Sequence, residues 1–119
     1  MAPATGRFRR SERLLRSSEY KQVAQQGRRA ASSAFVVVTA MREASAPSRL
    51  GITASRRVGN AVARNRVKRR IREWFRQTRA DWGRSRDVVV IARQPATLLA
   101  FEELNRQLSG LLKRAVEAS

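Results

Sequence analysis

The stretch RRVGNAVARNRVKRRIREWFR, residues 56–76, decides the fold because it carries two patterns on one segment. Nine of its 21 residues are Lys or Arg, and Glu73 is its one acidic residue. On a helical wheel, one face carries apolar or small side chains, namely Ala63, Val67, Ile71, Trp74, Phe75 and Thr78. The opposite face carries Asn65, Lys68, Arg69, Arg72, Arg76 and Arg79. The pattern predicts an amphipathic helix over roughly residues 59–80, with Arg64 and Arg70 flanking the apolar stripe.

The charge of the whole chain points to a polyanionic partner. The 119 residues include 26 basic and nine acidic ones, which gives a formal net charge of +17. Charge of that size disfavours the compact state through self-repulsion, so a partner of opposite charge is the natural explanation. Nucleic acid is the first candidate and an anionic membrane surface is the second. The length predicts one domain over residues 1–119, with residues 1–10 as a disordered basic arm.

The residue types needed for catalysis are sparse. The chain has no histidine and no cysteine, which excludes His-based catalysis, thiolate metal sites and disulfides. Its carboxylates are scattered along the chain, and no phosphate-binding glycine loop is present. The amino-terminal residues lack the apolar core of a secretory signal, and no apolar run is long enough to span a bilayer. We therefore expect a soluble cytoplasmic protein that, on its own, is a poor candidate for a catalyst.

Before the basic helix, the sequence predicts a short helix and then strands. Ser17 or Ser18 can cap the helix, Tyr20, Val23 and Ala24 share one face, and Gly27 ends it. The β-branched run of residues 34–41 predicts a buried strand, and residues 49–55 predict a second one. The short loop of residues 42–48 between them favours a hairpin. Residues 28–32 could add a weak edge strand.

After the basic helix, residues 87–92 predict a strand that is covered on both faces, because their apolar run is continuous. Apolar residues at helical spacing then predict a terminal helix within residues 99–118. The order of elements indicates the α+β class, with helices packed on one sheet. A strand–helix–strand unit over residues 49–92 would normally cross over with a right hand.

The basic helix is the candidate binding site. A charge run is usually a solvated face, but such a face normally mixes signs to limit repulsion. Here one glutamate opposes nine basic residues, which favours phosphate binding. Asn65 could bond a base or sugar edge, or it could cap a local turn. Tyr20 could belong to the core or could form a platform on which a base stacks.

Within this helix, the ordered stretch VGNAVARNRVKRRIRE, residues 58–73, resembles the signature of the bacterial ribonuclease P protein component. The hallmark of that family is an Arg-Asn-Arg core on a basic helix, which corresponds here to Arg64, Asn65 and Arg66. The resemblance extends over nearly the whole chain. Its further matching segments are RLLRSSEYKQVAQQGRR, AFVVV, RLGITASRRVGNAV and VVVIARQPA.

The resemblance implies a fold and a function. The implied fold is a single two-layer α/β sandwich with a sheet of about four strands, the element order α-β-β-β-α-β-α and a left-handed β-α-β crossover. The implied protein is the small subunit of a ribonucleoprotein that removes the 5′ leader from precursor tRNA. The RNA subunit carries the chemistry with bound Mg²⁺. The protein is expected to bind that RNA through the basic helix, and to hold the leader in a cleft between the first helix and the sheet.

Two sets of site residues follow from the charge pattern and the resemblance together. The predicted RNA-binding residues are Arg56, Arg57, Asn60, Arg64, Asn65, Arg66, Lys68, Arg69, Arg70, Arg72 and Arg76. The predicted leader-cleft residues are Tyr20, Phe35 and Val38. Ala24 and Val38 stand where relatives carry aromatic residues, which predicts a cleft that depends more on phosphate contacts than on stacking. Anions such as sulfate or phosphate are expected to stabilise the native state by binding it.

Two other functions fit the same composition. A ribosomal or RNA-chaperone protein would use a similar fold and charge, and only the Arg-Asn-Arg signature argues against it. A membrane-active cationic protein would need an apolar helix face that is free to insert into a bilayer. Packing of Val67, Ile71, Trp74 and Phe75 on a sheet would remove that face.

Overall fold

A computed structural model describes residues 10–14 and 17–117 and contains a four-stranded sheet and three α-helices. The elements are α1 (Ser17–Gln26), β1 (Arg28–Ala31), β2 (Phe35–Met41), β3 (Arg49–Thr53), α2 (Ala61–Thr78), β4 (Arg86–Ala92) and α3 (Phe101–Glu117). Short 3-10 turns occur at Arg10–Glu12, Arg79–Trp82 and Gln94–Leu98. The α+β class, the order of elements and the edge strand are confirmed. The predicted disordered arm, apart from Arg10, lies outside the described residues.

The strand order is β1-β2-β4-β3, which corrects the predicted hairpin. β4 lies between β2 and β3, and it pairs antiparallel with β2 and parallel with β3. The physical reason lies in β4 itself, since Val88, Val89 and Val90 are buried on both faces and need the centre of the sheet. The parallel pairing makes β3, α2 and β4 a crossover unit. The left hand that the resemblance implies for this unit stays a prediction.

Helices cover both faces of the sheet. The larger core cluster joins one sheet face to α2 and α3. Its largest members are Phe35, Val37, Leu50, Val67, Ile71, Trp74, Phe75, Val88, Val90, Leu104 and Leu108. The smaller cluster joins the other face to α1 through Val23, and its sheet members are Val36, Val38 and Val89. Alternation along the strands separates the two sets, because successive side chains point to opposite faces.

An ionic network fixes α1 to the sheet. Arg49 of β3 donates from Nε and Nη2 to the two carboxylate oxygens of Asp87 on β4, each at 2.8 Å. Its Nη1 donates to Glu19 of α1 at 2.7 Å. Asp87 is 7 % exposed, so the bidentate pair satisfies a charge that would otherwise be buried alone. One arginine therefore links both parallel strands to the first helix.

Residues 10–14 protect the free edge of β3. The Leu14 amide donates to the Leu50 carbonyl at 3.1 Å, and Arg13 forms a parallel bridge with Leu50. Glu12 is buried and forms an ion pair with Arg79 just after α2. The segment thus satisfies backbone groups that an edge strand would otherwise offer to another chain.

The packing of α2 gives a direct test of the fold. Ile71 is 0 % exposed, and Val62 on the same helix is 74 % exposed. We expect Ile71→Ala to lower the free energy of unfolding by about 2–5 kcal/mol, because it removes buried methylene groups and leaves a cavity. Val62→Ala should change it by no more than about 0.5 kcal/mol. Urea denaturation measures both, and equal effects would contradict the assigned orientation of α2.

Candidate RNA interface

Asn60 begins α2 as its N-cap. Its backbone is extended, with φ −72° and ψ 176°, and its side chain accepts a hydrogen bond from the Ala63 amide at 2.9 Å. A cap of this kind satisfies an amide that has no partner inside the helix. The structure therefore accounts for Asn60 through the helix itself, without an RNA contact. The sequence analysis considered a capping role for Asn65, but the residue that caps α2 is Asn60.

The two predicted faces of α2 are confirmed except at Arg79, which was predicted on the basic face but lies just after the helix, half-buried and paired with Glu12. Val67, Ile71, Trp74 and Phe75 are buried against the sheet and α3. The opposite side forms what we call the basic face, which comprises Asn65, Arg66, Lys68, Arg69, Arg72 and Arg76. Four of these six residues are exposed, and Lys68 and Arg76 are half-buried. Arg56 and Arg57, in the turn between β3 and α2, are exposed as well.

Burial outweighs repulsion along this helix. Like charges stand four residues apart at Arg64–Lys68, Arg66–Arg70, Lys68–Arg72 and Arg72–Arg76, and each such pair costs about 0.2–0.5 kcal/mol. The four buried side chains of the stripe contribute about 1.5–3 kcal/mol each. Trp74 also donates from Nε1 to the Ser109 hydroxyl at 3.0 Å, which ties α2 to α3. The sheet and α3 therefore hold the charges of α2 at fixed positions on a rigid surface.

Two predicted RNA-binding arginines form side-chain contacts within the protein, and a third is half-buried. Arg70 donates from Nη1 to the Leu99 carbonyl at 2.6 Å, which anchors α2 to the segment before α3. Arg76 pairs with Glu73, so its charge is partly compensated. Arg64 is half-buried, and its buried Nε has no hydrogen-bond partner among the residues that the structure describes. Arg70 and Arg76 thus have structural roles that the charge pattern alone did not reveal.

A groove of about 230 Å³ lies between α1, β3 and α2. We call it the Tyr20 groove. It is lined by Arg13, Leu14, Tyr20, Leu50, Ile52, Lys68 and Arg72. Lys68 and Arg72 also belong to the basic face, so the groove and that face are continuous. Spacing along the sequence does not show this juxtaposition, because it arises from the packing of α1 on one sheet face and α2 on the other.

Gly51 gives Tyr20 its place in the groove. A Cβ atom at Gly51 would lie 2.8 Å from Cζ and from the hydroxyl oxygen of Tyr20, so only glycine lets the ring come this close to β3. Burial raises the pKa of the Tyr20 hydroxyl, a backbone hydrogen bond with Ile52 opposes that rise, and the charge of Glu19 adds to it. Tyr20 is therefore half-buried and oriented, with its ring on β3.

The other two predicted cleft residues do not line this groove. Phe35 is 0 % exposed and belongs to the cluster under α2 and α3, on the sheet face opposite α1. Val38 lies on the α1 face but is covered there, at 3 % exposure. Residues an odd number of positions apart on a strand point to opposite faces, so these two cannot share one cleft. Ala24 is exposed on α1.

Within residues 10–14 and 17–117, no three His, Cys, Asp or Glu side chains come together in a group that could hold a metal ion. Among the same residues, no helix is long and apolar enough to cross a membrane. A rigid basic helix, continuous with a groove that contains an aromatic ring, defines a nucleic-acid-binding protein of the α+β class.

Comparison with known proteins identifies the family. The profile of the family described as Ribonuclease P matches residues 8–116. The ribonuclease P protein component of Brevibacillus brevis is 40 % identical over 106 residues, which cover 89 % of this chain and 84 % of the relative. That of Syntrophus aciditrophicus is 36 % identical, with 90 % and 89 % covered. The chain belongs to the ribonuclease P protein family, whose members are protein components of a ribonucleoprotein endoribonuclease that processes tRNA.

Solved structures show the same fold. The RNase P protein of Staphylococcus aureus superimposes with a TM-score of 0.77 at 34 % identity, over 89 % of this chain and 96 % of that one. The RNase P protein of Thermotoga maritima gives a TM-score of 0.75 at 32 % identity, over 87 % and 96 %. The family that the Arg-Asn-Arg stretch indicates is thereby confirmed.

The two asparagines of the signature region should separate stability from binding. We expect Asn60→Ala to lower the free energy of unfolding by about 1 kcal/mol, because the Ala63 amide loses its cap. Asn65→Ala lies on the exposed face and should leave stability nearly unchanged. Thermal or urea unfolding of the two variants checks this, and an equal loss in both would contradict the capping role.

Proposed function

We propose that the basic face of α2 binds the phosphates of the ribonuclease P RNA subunit, and that the Tyr20 groove receives the 5′ leader of precursor tRNA. The observation that supports both parts is the continuity of the two surfaces through Lys68 and Arg72. An RNA strand that passes from the basic face into the Tyr20 groove would meet positive charge along the whole path. The protein then assists cleavage by holding both RNAs in one fixed geometry.

Phosphate contacts explain how this surface would work. Each cation that neutralises a phosphate releases a counterion, which supplies affinity without reading sequence. Arginine suits this role because its planar guanidinium forms two parallel hydrogen bonds with phosphate oxygens. The exposed Arg66, Arg69 and Arg72 have side chains free for such contacts. Arg56 and Arg57 extend the same surface at the amino end of α2.

The Tyr20 groove would hold the leader mainly by charge. It offers one aromatic ring for stacking, and Lys68 and Arg72 for phosphates. A base that stacks on an aromatic side chain gains about 1–3 kcal/mol. Since Phe35 lies on the other sheet face and Val38 is covered by α1, stacking here rests on Tyr20. This agrees with the expectation that phosphate contacts dominate in this chain.

The chemistry is assigned to the RNA subunit. The described residues provide no ligand set for a metal ion, so the Mg²⁺ on which RNA-based cleavage depends would be held by RNA phosphates. The protein can favour that binding indirectly, because its cations lower the repulsion between two RNA backbones. Sulfate or phosphate ions would occupy the same cationic surface in the absence of RNA and stabilise the native protein.

Reconstitution tests the proposed function. The chain alone should leave precursor tRNA intact, and the RNA subunit alone should cleave slowly at low Mg²⁺. Adding the chain at low Mg²⁺ should restore cleavage at the 5′ leader junction, measured by single-turnover kinetics. A protein without effect on the RNA subunit at any Mg²⁺ concentration would overturn the proposal.

Salt dependence tests the basic face. In Arg66→Ala and Arg69→Ala, the slope of log K for RNA-subunit binding against log salt should become shallower by somewhat under one unit each, because one phosphate contact is lost. Arg106→Ala is a matched control, since Arg106 is exposed on α3 and pairs with Glu103. Filter binding across a salt series measures the slopes. Equal slopes in all three variants and the parent chain would place Arg66 and Arg69 in solvent.

Leader dependence tests the groove. We expect Tyr20→Leu to weaken binding of precursor tRNA to the assembled enzyme by about fivefold or more, because one stacking contact is lost. Binding of mature tRNA, which lacks a leader, should not change. Gln25→Leu on the exposed side of α1 is the control. An equal loss for both tRNA forms in Tyr20→Leu would show that the effect comes from the fold and not from the leader.

A further inference from the structure

A second pocket lies away from the basic face, between the carboxyl-terminal end of α2, the turn that follows it, and α3. Its volume is about 330 Å³, which falls in the range of small-ligand sites. Leu112 and Val116 of α3 form an apolar wall, and Trp82 forms an aromatic one. Val116 is 39 % exposed, so apolar surface remains open to solvent there.

Trp82 is held in a defined orientation. Its ring centroid lies 5.8 Å from that of Trp74 in a tilted arrangement, and 5.4 Å from that of Phe75 in an edge-on arrangement. These contacts occupy the side of the indole that faces the core. Trp82 remains half-buried and lines the pocket, so part of its ring is available to a flat ligand.

The charged groups of the pocket are not paired with one another. Arg86, at the start of β4, is half-buried, and its side chain has no acidic partner among the described residues. Burial and the nearby charge of Arg84 lower the pKa of Arg86, which reflects the cost of a cation without a counter-charge. Lys113 adds a second cation at the rim, and Asp81 adds one exposed carboxylate.

We propose that this pocket binds a single nucleotide, with its base against Trp82 and its phosphate at Arg86 and Lys113. A flat aromatic wall fits a base, and the unpaired guanidinium fits the phosphate. The Asp81 carboxylate can accept hydrogen bonds from an amino or imino group of a base. An apolar anion has no such donor groups. A purely apolar ligand would leave the half-buried Arg86 without a counter-charge, and free phosphate would leave the aromatic and apolar walls open to water.

The site is separate from the proposed RNA-subunit and leader contacts. Its residue on α2 is Thr78, which belongs to the sheet-facing stripe and not to the basic face. The inference therefore does not rest on the proposed function. The nucleotide has two possible sources, namely a free mononucleotide or an unpaired nucleotide that projects from a folded RNA.

Tryptophan fluorescence of the full chain provides the test, because the chain has two tryptophans, one in the pocket wall and one in the core beside it. Titration with AMP, GMP, CMP and UMP at constant ionic strength should give saturable quenching by at least one of them. Inorganic phosphate at the same concentrations should quench little and compete weakly. Calorimetry with the best nucleotide then serves for variants that alter the fluorescence.

Arg86→Gln should weaken nucleotide binding by about tenfold or more, because a charge-assisted phosphate contact is lost. Arg84→Gln is the matched control, because Arg84 is exposed and does not line the pocket. The substitution removes the same charge as Arg86→Gln, but from outside the pocket wall. Trp82→Leu should also weaken binding, while urea unfolding of each variant verifies that it is folded.

Two further arms identify the source and the limits of the inference. If the nucleotide belongs to RNA, a short RNA duplex with one bulged nucleotide should quench the tryptophan fluorescence more strongly than the same duplex without the bulge. If the nucleotide is free, mononucleotides alone should quench it. Either result supports a nucleotide site. The inference is overturned if Arg84→Gln and Arg86→Gln weaken binding equally, if inorganic phosphate competes as well as nucleotides, or if neither nucleotides nor bulged RNA quench.

Discussion

The packing of the α2 stripe against the sheet and α3 is the constraint on which the rest of the structure depends. Left in water, this helix would have to form against repulsion between the basic side chains on its successive turns. Burial of Val67, Ile71, Trp74 and Phe75 supplies several times the free energy that those pairs cost. The sheet therefore does more than complete the core. It fixes cations in positions that a flexible basic tail would reach only at a cost in conformational entropy.

β3 connects the Tyr20 groove with the basic face. Arg49 ties it to Asp87 and to Glu19 of α1, and Gly51 leaves room for the Tyr20 ring. The chain then leaves β3 through Arg56 and Arg57 and enters α2 at the Asn60 cap. Because β3 also pairs with the central strand β4, the groove and the basic face are attached to the most buried part of the sheet. A shift of one surface relative to the other would have to break the bidentate pair or the parallel strand pairing.

Particular residues show how far the sequence could lead. The period of the apolar residues in α2 and α3 predicted both helices and their buried faces, since periodicity reports directly on which side meets the core. The Arg-Asn-Arg stretch predicted the family. The sequence did not predict the strand order. The short loop between β2 and β3 favours a hairpin, but residues 88–90 are buried on both faces only if β4 lies at the centre of the sheet, and this burial overrides the local signal. The structure does not place Phe35 in the groove. Side chains alternate along a strand, so Phe35 lies on the sheet face opposite Val38.

Charge alone could not rank the arginines of α2, and the geometry does so. Arg70 is engaged with the Leu99 carbonyl and Arg76 with Glu73, whereas Arg66, Arg69 and Arg72 are exposed. A run of basic residues thus divides into side chains that hold the helix in place and side chains that can meet a phosphate. The same distinction separates Asn60, which caps the helix, from Asn65, which faces solvent one turn later. Substitutions in the first group should act through stability and those in the second through affinity, so a mutational scan that measures only activity would merge two different causes.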